Sequence, residues 1–304
     1  MEHAEIEIDA MFAGGNILAE QQQERVYRLE PDVRDTAGDW FWWYFRARPA
    51  TPGPVEFRFE RPRYIGLRGP CCSTDGGRSW EWLGRTEEEQ TAWTYEFTEP
   101  GEDVRFAFSF PYTEFDLHRC LQGLPDGVPA ACESLCESRE GRSVELIRAG
   151  CLDGRAAHTV VVTCRHHACE SVANYVLEGL LSASATDSPS ANFMRQNVLI
   201  LAVPFVDKDG VERGDQGKNR EPHDHNRDYL EGIYPEVRAI RNLLREHEAS
   251  LRVALDLHCP YAHNHVLQLV GCPGERAERN LQEFSEVLEQ VANGPLPYRA
   301  ENNI

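Results

Sequence analysis

The chain has 304 residues, of which 41% are hydrophobic and 27% are charged, and it carries a formal net charge of −19. This composition is ordinary for a globular protein, and the length suffices for one large domain or two domains of usual size. The strong negative charge would repel a phosphate backbone, so it argues against a nucleic-acid partner.

The start of the chain predicts a cytoplasmic protein that is not inserted in a membrane. Residues 1–20 carry acidic side chains where a secretory signal needs a basic start, and no long apolar segment follows. The longest apolar run, Val198–Val206, is far shorter than the ~20 residues that a membrane helix needs. The ten cysteines include no CxxC pair, which in this setting favours reduced thiols over disulfides.

Residues 1–113 are predicted to form a β-sandwich-like domain. Val55–Glu60 alternates apolar and polar side chains with period two, and Asp39–Phe45 is a dense aromatic run. Short segments of this kind, separated by turns such as Ser73–Gly77, are typical of an all-β sandwich. The further predicted strands are Ser79–Trp82, Trp93–Phe97 and Val104–Phe110. We interpret the aromatic side chains as core filling rather than as a carbohydrate-binding platform.

Residues 114–304 are predicted to form an α/β domain, because strands alternate with helices. The predicted strands are His158–Cys164, which is buried in type, Asn197–Phe205, which is apolar, and Leu251–Leu257. The predicted helices carry apolar side chains at helical spacing: Phe115–Cys120, Val172–Leu181, Tyr234–His247 and Gly274–Val291. A Ser/Ala/Thr-rich segment, 182–191, is predicted to be a loop.

A candidate metal site lies where two of these strands end. His167 and Glu170 are three residues apart at a predicted helix start, which puts both side chains on one face. Another strand ends in Asp256-Leu257-His258. Two histidines and one glutamate with an open fourth position are a catalytic zinc set, and α/β sheets place their sites at the carboxyl ends of strands. His166 is set aside because only His167 gives the HxxE spacing.

The order of the motifs resembles a known family. After HxxE come VPFVDKDGV at 203–211, GKNR at 217–220, DHNR at 224–227 and the strand that ends in DLH. This series is similar to the zinc carboxypeptidases of the carboxypeptidase A superfamily. With the aromatic segments WFWWYF at 40–45 and FSFPY at 108–112, it most resembles the cytosolic carboxypeptidase subgroup. The resemblance implies that the α/β domain has a mixed sheet flanked by helices.

The resemblance implies one zinc ion per chain, bound by His167, Glu170 and His258. Asp224 matches the acid that hydrogen-bonds the first ligand histidine and fixes its orientation. Cysteine thiolates are also good zinc ligands, and Cys169 and Cys259 adjoin two of the ligands. We expect both thiols to point away from the ion.

The resemblance also assigns residues that bind the substrate, a peptide with a free C-terminal carboxylate. Asn226 and Arg227 match the pair that holds this carboxylate, for which a planar guanidinium is well suited. Arg220 is the candidate for the arginine that polarises the scissile carbonyl. Its spacing to Asn226 is shorter than in the family, so Arg213 and Lys218 remain alternatives.

The function implied is a zinc-dependent hydrolase of carboxypeptidase type, in which a zinc-bound water attacks the amide and a glutamate moves the protons. We identify no counterpart of this glutamate in residues 259–304, where five glutamates follow a solvent-exposed helical pattern: Glu275, Glu278, Glu283, Glu286 and Glu289. The sequence thus indicates a domain incomplete at its C-terminus, or one that kept the metal without the base.

Two other functions stay open at this point. One is a zinc-dependent deacylase or amidase on a related scaffold, against which the N-terminal β-domain argues. The other is a non-catalytic module that binds zinc or a peptide carboxylate, which the unidentified glutamate favours. Four further histidines either line the pocket or lie on solvated loops: His223, His225, His263 and His265.

Overall fold

The computed structural model describes residues 5–87, 89–125, 128–259, 266–294 and 298–304. The chain divides into two compact units, Met1–Pro260 and Tyr261–Ile304. No helix among the described residues is both long and apolar enough to cross a lipid bilayer. All ten cysteines are free thiols.

As far as its residues are described, the N-terminal part of the first unit contains two β-sheets and one short helical turn, at Pro62–Tyr64. The first sheet is antiparallel, in the order β1 (Ile6–Asp9), β4 (Tyr44–Pro49), β9 (Val104–Ala107), β6 (Cys71–Ser73) and β7 (Glu81–Trp82). The second has the order β2 (Leu18–Gln23), β3 (Val26–Glu30), β5 (Gly53–Arg58) and β8 (Ala92–Phe97), with β3 and β5 parallel. The predicted all-β region is confirmed.

Aromatic side chains fill the space between these two sheets. Phe45 and Phe106 from the first sheet meet Phe57 of the second, with ring centroids 5.4 and 5.2 Å from that of Phe57. Trp93 on β8 stacks on Trp43 with a centroid separation of 5.5 Å. All five side chains are buried. Burying a ring of this size contributes about 1.5–3 kcal/mol, so the aromatic residues form the core of the sandwich, as interpreted from the sequence.

The second part of this unit is a mixed five-stranded sheet. Its order is β10 (Ala130–Glu137), β11 (Ser143–Gly150), β13 (Val198–Val203), β12 (His158–Cys164) and β14 (Leu251–Leu257). Strand β11 is antiparallel to both of its neighbours, β10 and β13, whereas β13, β12 and β14 are parallel. The helices are α1 (Glu114–Gln122), α2 (Ala173–Ser184), α3 (Pro189–Asn197), α4 (Lys208–Arg213) and α5 (Pro235–Glu246). The predicted α/β class is confirmed.

Helices cover both faces of this sheet. On one face Ile200 of β13 belongs to a cluster with Leu177 of α2, and on the other Leu201 belongs to a cluster with Ile240 of α5. Alternate residues of a strand point to opposite faces, so a strand buried on both sides is apolar throughout. Because β12, β13 and β14 are parallel, their carboxyl ends lie at the same edge of the sheet.

The sequence analysis missed part of this architecture. It did not predict β10 and β11, and it placed a loop where α3 forms. The start of α3 carries a local signal, because Pro189 occupies the first turn and the Ser188 hydroxyl accepts a hydrogen bond from the Ala191 amide at 3.1 Å. The predicted boundary after residue 113 coincides with the start of α1, although both sides lie in one compact unit. The division into two domains there stays a prediction.

The second unit is small. Helix α6 (Glu275–Val291) follows the predicted helix closely. The Ser285 hydroxyl accepts a hydrogen bond from the Asn303 amide at 2.9 Å, and the Tyr298 hydroxyl donates to Asn303 at 2.9 Å. The backbone of Ile304 pairs with Leu269 and Gly271. These contacts hold the end of the described chain against α6.

Candidate metal centre

A sharp turn after β12 positions the HxxE motif. Arg165 adopts a positive φ of 63°, which reverses the chain directly after the strand. Its buried guanidinium donates hydrogen bonds to the carbonyls of Ala168, at 2.8 Å, and Tyr112, at 3.0 Å. The Glu170 amide then bonds to the carbonyl of His167 at 3.2 Å. The motif thus lies in a turn, and not at a helix start as predicted, because α2 begins only at Ala173.

The three predicted ligands converge at the carboxyl ends of β12 and β14. The two oxygens of Glu170 face the Nδ1 atoms of His167, at 3.0 Å, and of His258, at 2.7 Å. The imidazole centroids are 4.9 Å apart. The three ligand atoms lie within 4.8 Å of one another, and Glu170 is fully buried. Two imidazole nitrogens and a carboxylate form the donor set of a catalytic zinc site, so these side chains fit the ion.

Positive charge surrounds the Glu170 carboxylate. Burial opposes its ionisation, but hydrogen bonds from His167 and His258 hold its pKa well below the usual value. The Lys218 ammonium lies 2.6 Å from Glu170 Oε1 and adds to this effect. Burial disfavours the charged form of His258, yet its bonds to Asp256 and Glu170 raise its pKa to about 10. In the absence of a metal, Lys218 and the two histidines thus supply the positive charge that a divalent ion would bring to Glu170.

Zinc binding is expected to release protons, so the apparent affinity should rise with pH. The pKa values of His167 and His258 are both raised. A raised pKa favours the protonated form of each imidazole in the metal-free protein, so the metal must displace protons when it binds. Each displaced proton makes the affinity rise by up to about tenfold per pH unit. Calorimetric titrations in buffers of different ionisation enthalpy count the protons, and a pH-independent affinity would contradict the expectation.

Asp224 lies on the far side of the His167 ring. Its Oδ2 is 3.8 Å from Nε2 of His167, and its Oδ1 accepts a hydrogen bond from the Arg227 amide at 3.1 Å. Burial works against ionisation of Asp224, but the contact with His167 lowers its pKa. With Nε2 facing a carboxylate, Nδ1 of His167 is left to face Glu170, as an orienting role for Asp224 requires.

The Asp224→Ala change is expected to weaken zinc binding by roughly 10–100-fold without unfolding the protein, because His167 loses the group that orients it. Competition with a chelator of known affinity measures the effect. Glu231→Ala, which removes an exposed acid from the following loop, is the matched control for the change in net charge. Equal affinities of the two variants would show that Asp224 does not support the ligand.

The segment that holds the predicted carboxylate-binding pair is a short helical turn, His225–Arg227. The Asn226 amide nitrogen lies 3.2 Å from Nε2 of His258, so Asn226 is at the metal centre. The side chain of Arg227 is exposed, and its charge contributes to the lowered pKa of Asp224. An accessible guanidinium beside the ligands is suitably placed to meet an incoming anion.

The structure places Arg220 in a different environment from the one predicted. Its guanidinium is 2.9 Å from both Asp35 and Asp207 and 3.6 Å from Asp215. These carboxylates raise its pKa despite burial. Arg213, one alternative, pairs with Glu140 and Asp215. The contacts found for the Arg220 guanidinium are thus with carboxylates, and its carbonyl-polarising role stays a prediction.

Lys218, the other alternative, is the cation that the structure places against the ligands. It is buried, contacts Glu170, and lies 4.9 Å from the centroid of the Trp40 ring. The sequence analysis took Arg220 as the candidate and left Lys218 as an alternative. Gly217 and Asn219 both have positive φ, so the backbone turns on either side of Lys218. This turn sends the side chains of Lys218 and Arg220 in different directions.

Among the described residues, the groups close enough together to hold a metal ion do not include the two cysteines beside the ligands. Burial raises the pKa of the Cys259 thiol to about 11, and that of Cys169 is raised too. A protonated thiol is a poor zinc ligand. The Cys259 amide instead donates to Glu170 Oε2 at 2.9 Å. His263 and His265 lie outside the described residues.

The sequence analysis missed three residues around His258. Asp256, His166 and Tyr229 form a hydrogen-bonded chain that ends on this imidazole. The signal that points to Asp256 is its position two residues before His258, since such residues share a face of a strand. Among the residues described in Met1–Pro260, Glu170 is the only glutamate in contact with His167 or His258.

Comparisons with known proteins give a consistent result. The zinc carboxypeptidase family model matches residues 120–236. Cytosolic carboxypeptidase 2 of Danio rerio is 29% identical over 301 residues, which cover 85% of this chain and 42% of that protein. The protein of the same name in Xenopus tropicalis is also 29% identical, over 88% of this chain and 32% of its own length. The chain therefore spans less than half the length of these relatives.

Solved structures show the same fold. A metallo-carboxypeptidase from Burkholderia cenocepacia superimposes with a TM-score of 0.77 at 24% identity, over 97% of this chain and 81% of its own. One from Pseudomonas aeruginosa, in complex with (2-guanidinoethylmercapto)succinic acid, has a TM-score of 0.75 at 22% identity, over 96% and 80%. At this level of identity the likeness establishes the architecture of both parts of the first unit.

Proposed function

We propose that this chain, which matches the zinc carboxypeptidase family over residues 120–236, is a zinc-dependent hydrolase that releases C-terminal residues from peptides. The observation that carries the proposal is the convergence of His167, Glu170 and His258. When bound there, zinc supplies a Lewis acid that polarises a carbonyl and activates water. The names of the relatives, cytosolic carboxypeptidases, support a cytoplasmic location.

In this proposal the side chains around the ligands have two roles: some orient a ligand, and one stabilises negative charge on the substrate. Asp224 and Glu170 hold His167 between them, so that its Nδ1 faces the site. Lys218 brings a positive charge to the position where negative charge would develop on the carbonyl oxygen. Such a fixed charge in a buried place stabilises a transition state more than it would in water. Lys218 thus takes the role that the sequence analysis gave to Arg220.

The substrate carboxylate is proposed to bind Arg227 and Asn226. Asn226 is anchored at His258, and the exposed Arg227 follows it in the same helical turn. A guanidinium donates two parallel hydrogen bonds to a carboxylate, and hydrogen bonds to charged groups contribute about 1.5–3 kcal/mol each. This pair would place the C-terminal residue so that the preceding peptide bond lies over the ligands.

Calorimetry on zinc-loaded protein tests this arrangement. A peptide with a free C-terminus is expected to bind more tightly than its amidated twin by roughly 10–100-fold, the equivalent of the 1.5–3 kcal/mol of one charged hydrogen bond. Arg227→Ala should remove most of the difference. Arg58→Ala, which changes an exposed arginine of the β-sandwich, should leave it intact. Equal binding of the two peptides by the unaltered protein would contradict the proposed carboxylate site.

A second candidate function is a non-catalytic module that binds zinc and a peptide carboxylate. It is favoured by the finding that, within the described part of Met1–Pro260, no glutamate except the ligand Glu170 contacts His167 or His258. Asp224 and Asp256 are the other carboxylates there, and each is occupied by an imidazole. Turnover measurements separate the two functions.

A further inference from the structure

Asp256 lies directly behind His258 and has no role in the function proposed above. We propose that Asp256 is a positioning residue that fixes the tautomer of His258, with the proton on Nε2 and Nδ1 left free for the metal. The inference rests on the proposed zinc site. It extends that site by a chain of hydrogen-bonded side chains that reaches Tyr229.

The geometry of β14 brings the two side chains together. Asp256 and His258 are two residues apart on a strand, so both point to the same face. Oδ2 of Asp256 lies 2.6 Å from Nε2 of His258. On the other side of the ring, Nδ1 is 2.7 Å from Oε2 of Glu170. The imidazole is thus held between two carboxylates, one on each nitrogen.

The second oxygen of Asp256 is held as well. Oδ1 accepts a hydrogen bond from the Thr163 hydroxyl at 2.8 Å, and Nδ1 of His166 is also 2.8 Å away. Thr163 lies opposite Asp256 in the pairing of β12 with β14. Nε2 of His166 is 2.8 Å from the Tyr229 hydroxyl. With both oxygens engaged, the carboxylate has a single orientation relative to His258.

This arrangement selects one form of the ligand imidazole. A neutral histidine carries its single proton on either nitrogen, and only the unprotonated nitrogen binds a metal. An ionised carboxylate only accepts hydrogen bonds, so Asp256 requires the proton of His258 on Nε2. Without a metal, Nδ1 also donates a proton, to Glu170. When a metal ion displaces that proton, Nδ1 offers its lone pair on the side where Glu170 and His167 lie, and the proton that Asp256 accepts stays on Nε2. Partners of this kind raise the basicity of a ligand as well as orienting it.

The same chain explains why His166 is not the ligand, although it is adjacent to His167. Both of its ring nitrogens already have partners, in Asp256 and Tyr229. His166, Asp256 and His258 also lie close enough together to hold a metal ion of their own. If this second group held an ion in addition to the one at His167, Glu170 and His258, then His258 would bridge the two ions. That arrangement predicts two zinc ions per chain, whereas a positioning role for Asp256 predicts one.

Replacing Asp256 with asparagine tests the inference. The amide keeps the shape of the side chain but can donate to Nε2, which favours the other tautomer. We expect Asp256→Asn to lower the zinc affinity roughly 10–100-fold. Tyr229→Phe, which removes only the distant end of the chain, should change it less than about threefold, because the carboxylate stays in place. Chelator competition on the full chain measures both variants.

Two spectroscopic readouts separate positioning from loss of fold. In protein labelled with ¹⁵N-histidine, the His258 Nε2–H signal should be present in the zinc-loaded parent and in Tyr229→Phe, and absent in Asp256→Asn. The visible absorption bands of the cobalt(II)-substituted protein should change in Asp256→Asn alone. Unchanged zinc affinity and a retained Nε2–H signal in Asp256→Asn would overturn the inference.

The remaining outcomes are also decisive. Two zinc ions in the parent protein and one in Asp256→Asn would make Asp256 a ligand, which contradicts the positioning role. If the parent binds no zinc, the proposed metal site fails. The Nε2–H signal of metal-free parent and Asp256→Asn then still shows whether Asp256 holds the imidazole, so the two failures are distinguishable.

Discussion

Protein in which His167 and His258 are both replaced by alanine is expected to contain no zinc after purification without added metal, whereas the parent contains one ion per chain. The two changes remove both imidazole Nδ1 atoms that face Glu170. One carboxylate cannot supply the three protein ligands of a catalytic site. Elemental analysis gives the metal content directly. Stoichiometric zinc in the double variant would refute the site.

The double change also leaves the buried Glu170 carboxylate with Lys218 as its remaining cation. Removing partners from a buried charge costs about 3–5 kcal/mol, so the folded state must be checked by near-ultraviolet circular dichroism. Glu170→Gln serves as a second variant, because it removes a ligand but keeps the shape of the side chain, with Lys218 left facing a neutral amide. It should lose zinc and stay folded. His118→Ala, at an exposed histidine of α1, should keep the full metal content.

A polypeptide of residues 1–304 is expected to bind peptides with a free C-terminus but to hydrolyse them slowly, at about 10²–10⁴-fold below an enzyme with a general base in place. Binding needs the metal, Asn226 and Arg227. Turnover also needs a carboxylate that takes a proton from the attacking water and passes it to the leaving amine. In the described part of Met1–Pro260, Asp224 faces the imidazole of His167 and Asp256 faces that of His258. Neither carboxylate is therefore free to act as this base.

Release of the C-terminal residue, followed by chromatography, measures this rate. Chelator-treated protein gives the background, and Arg227→Ala shows whether slow turnover still depends on the proposed carboxylate site. Turnover at ordinary enzymatic rates, around 1–10³ per second, would contradict the expectation. Asp224→Asn and Asp256→Asn would then show whether either carboxylate is the base, since each keeps the shape of the side chain.

The amino-acid sequence by itself determined the class of the fold and the candidate ligands. Continuous apolar runs such as Val198–Val203 predict buried strands, because a strand covered on both faces has no polar side to show. Period-two alternation and aromatic clusters predict the β-sandwich for the same local reason. The spacing of His167 and Glu170 and the strand that ends at His258 were enough to predict one shared site, since parallel strands end at one edge of a sheet.

Elements that depend on partners distant in sequence were not predictable in this way. Most side chains of β10 are exposed or half-buried, so the strand carries no buried-type pattern and is held by its pairing with β11. The start of α3 was hidden because Ser188 and Pro189 lie in a stretch of loop-forming composition. Composition averages over a segment, whereas a helix cap depends on one hydroxyl and one amide.

The division of roles among the cations and acids was decided only by the tertiary structure. Lys218 and Arg220 are two residues apart, and nothing in their spacing says that one meets Glu170 and the other Asp35 and Asp207. Asp256 reaches His166 across 90 residues of chain. Hydrogen bonds act over about 3 Å, so such partners are fixed by how the strands pair and not by their separation in sequence.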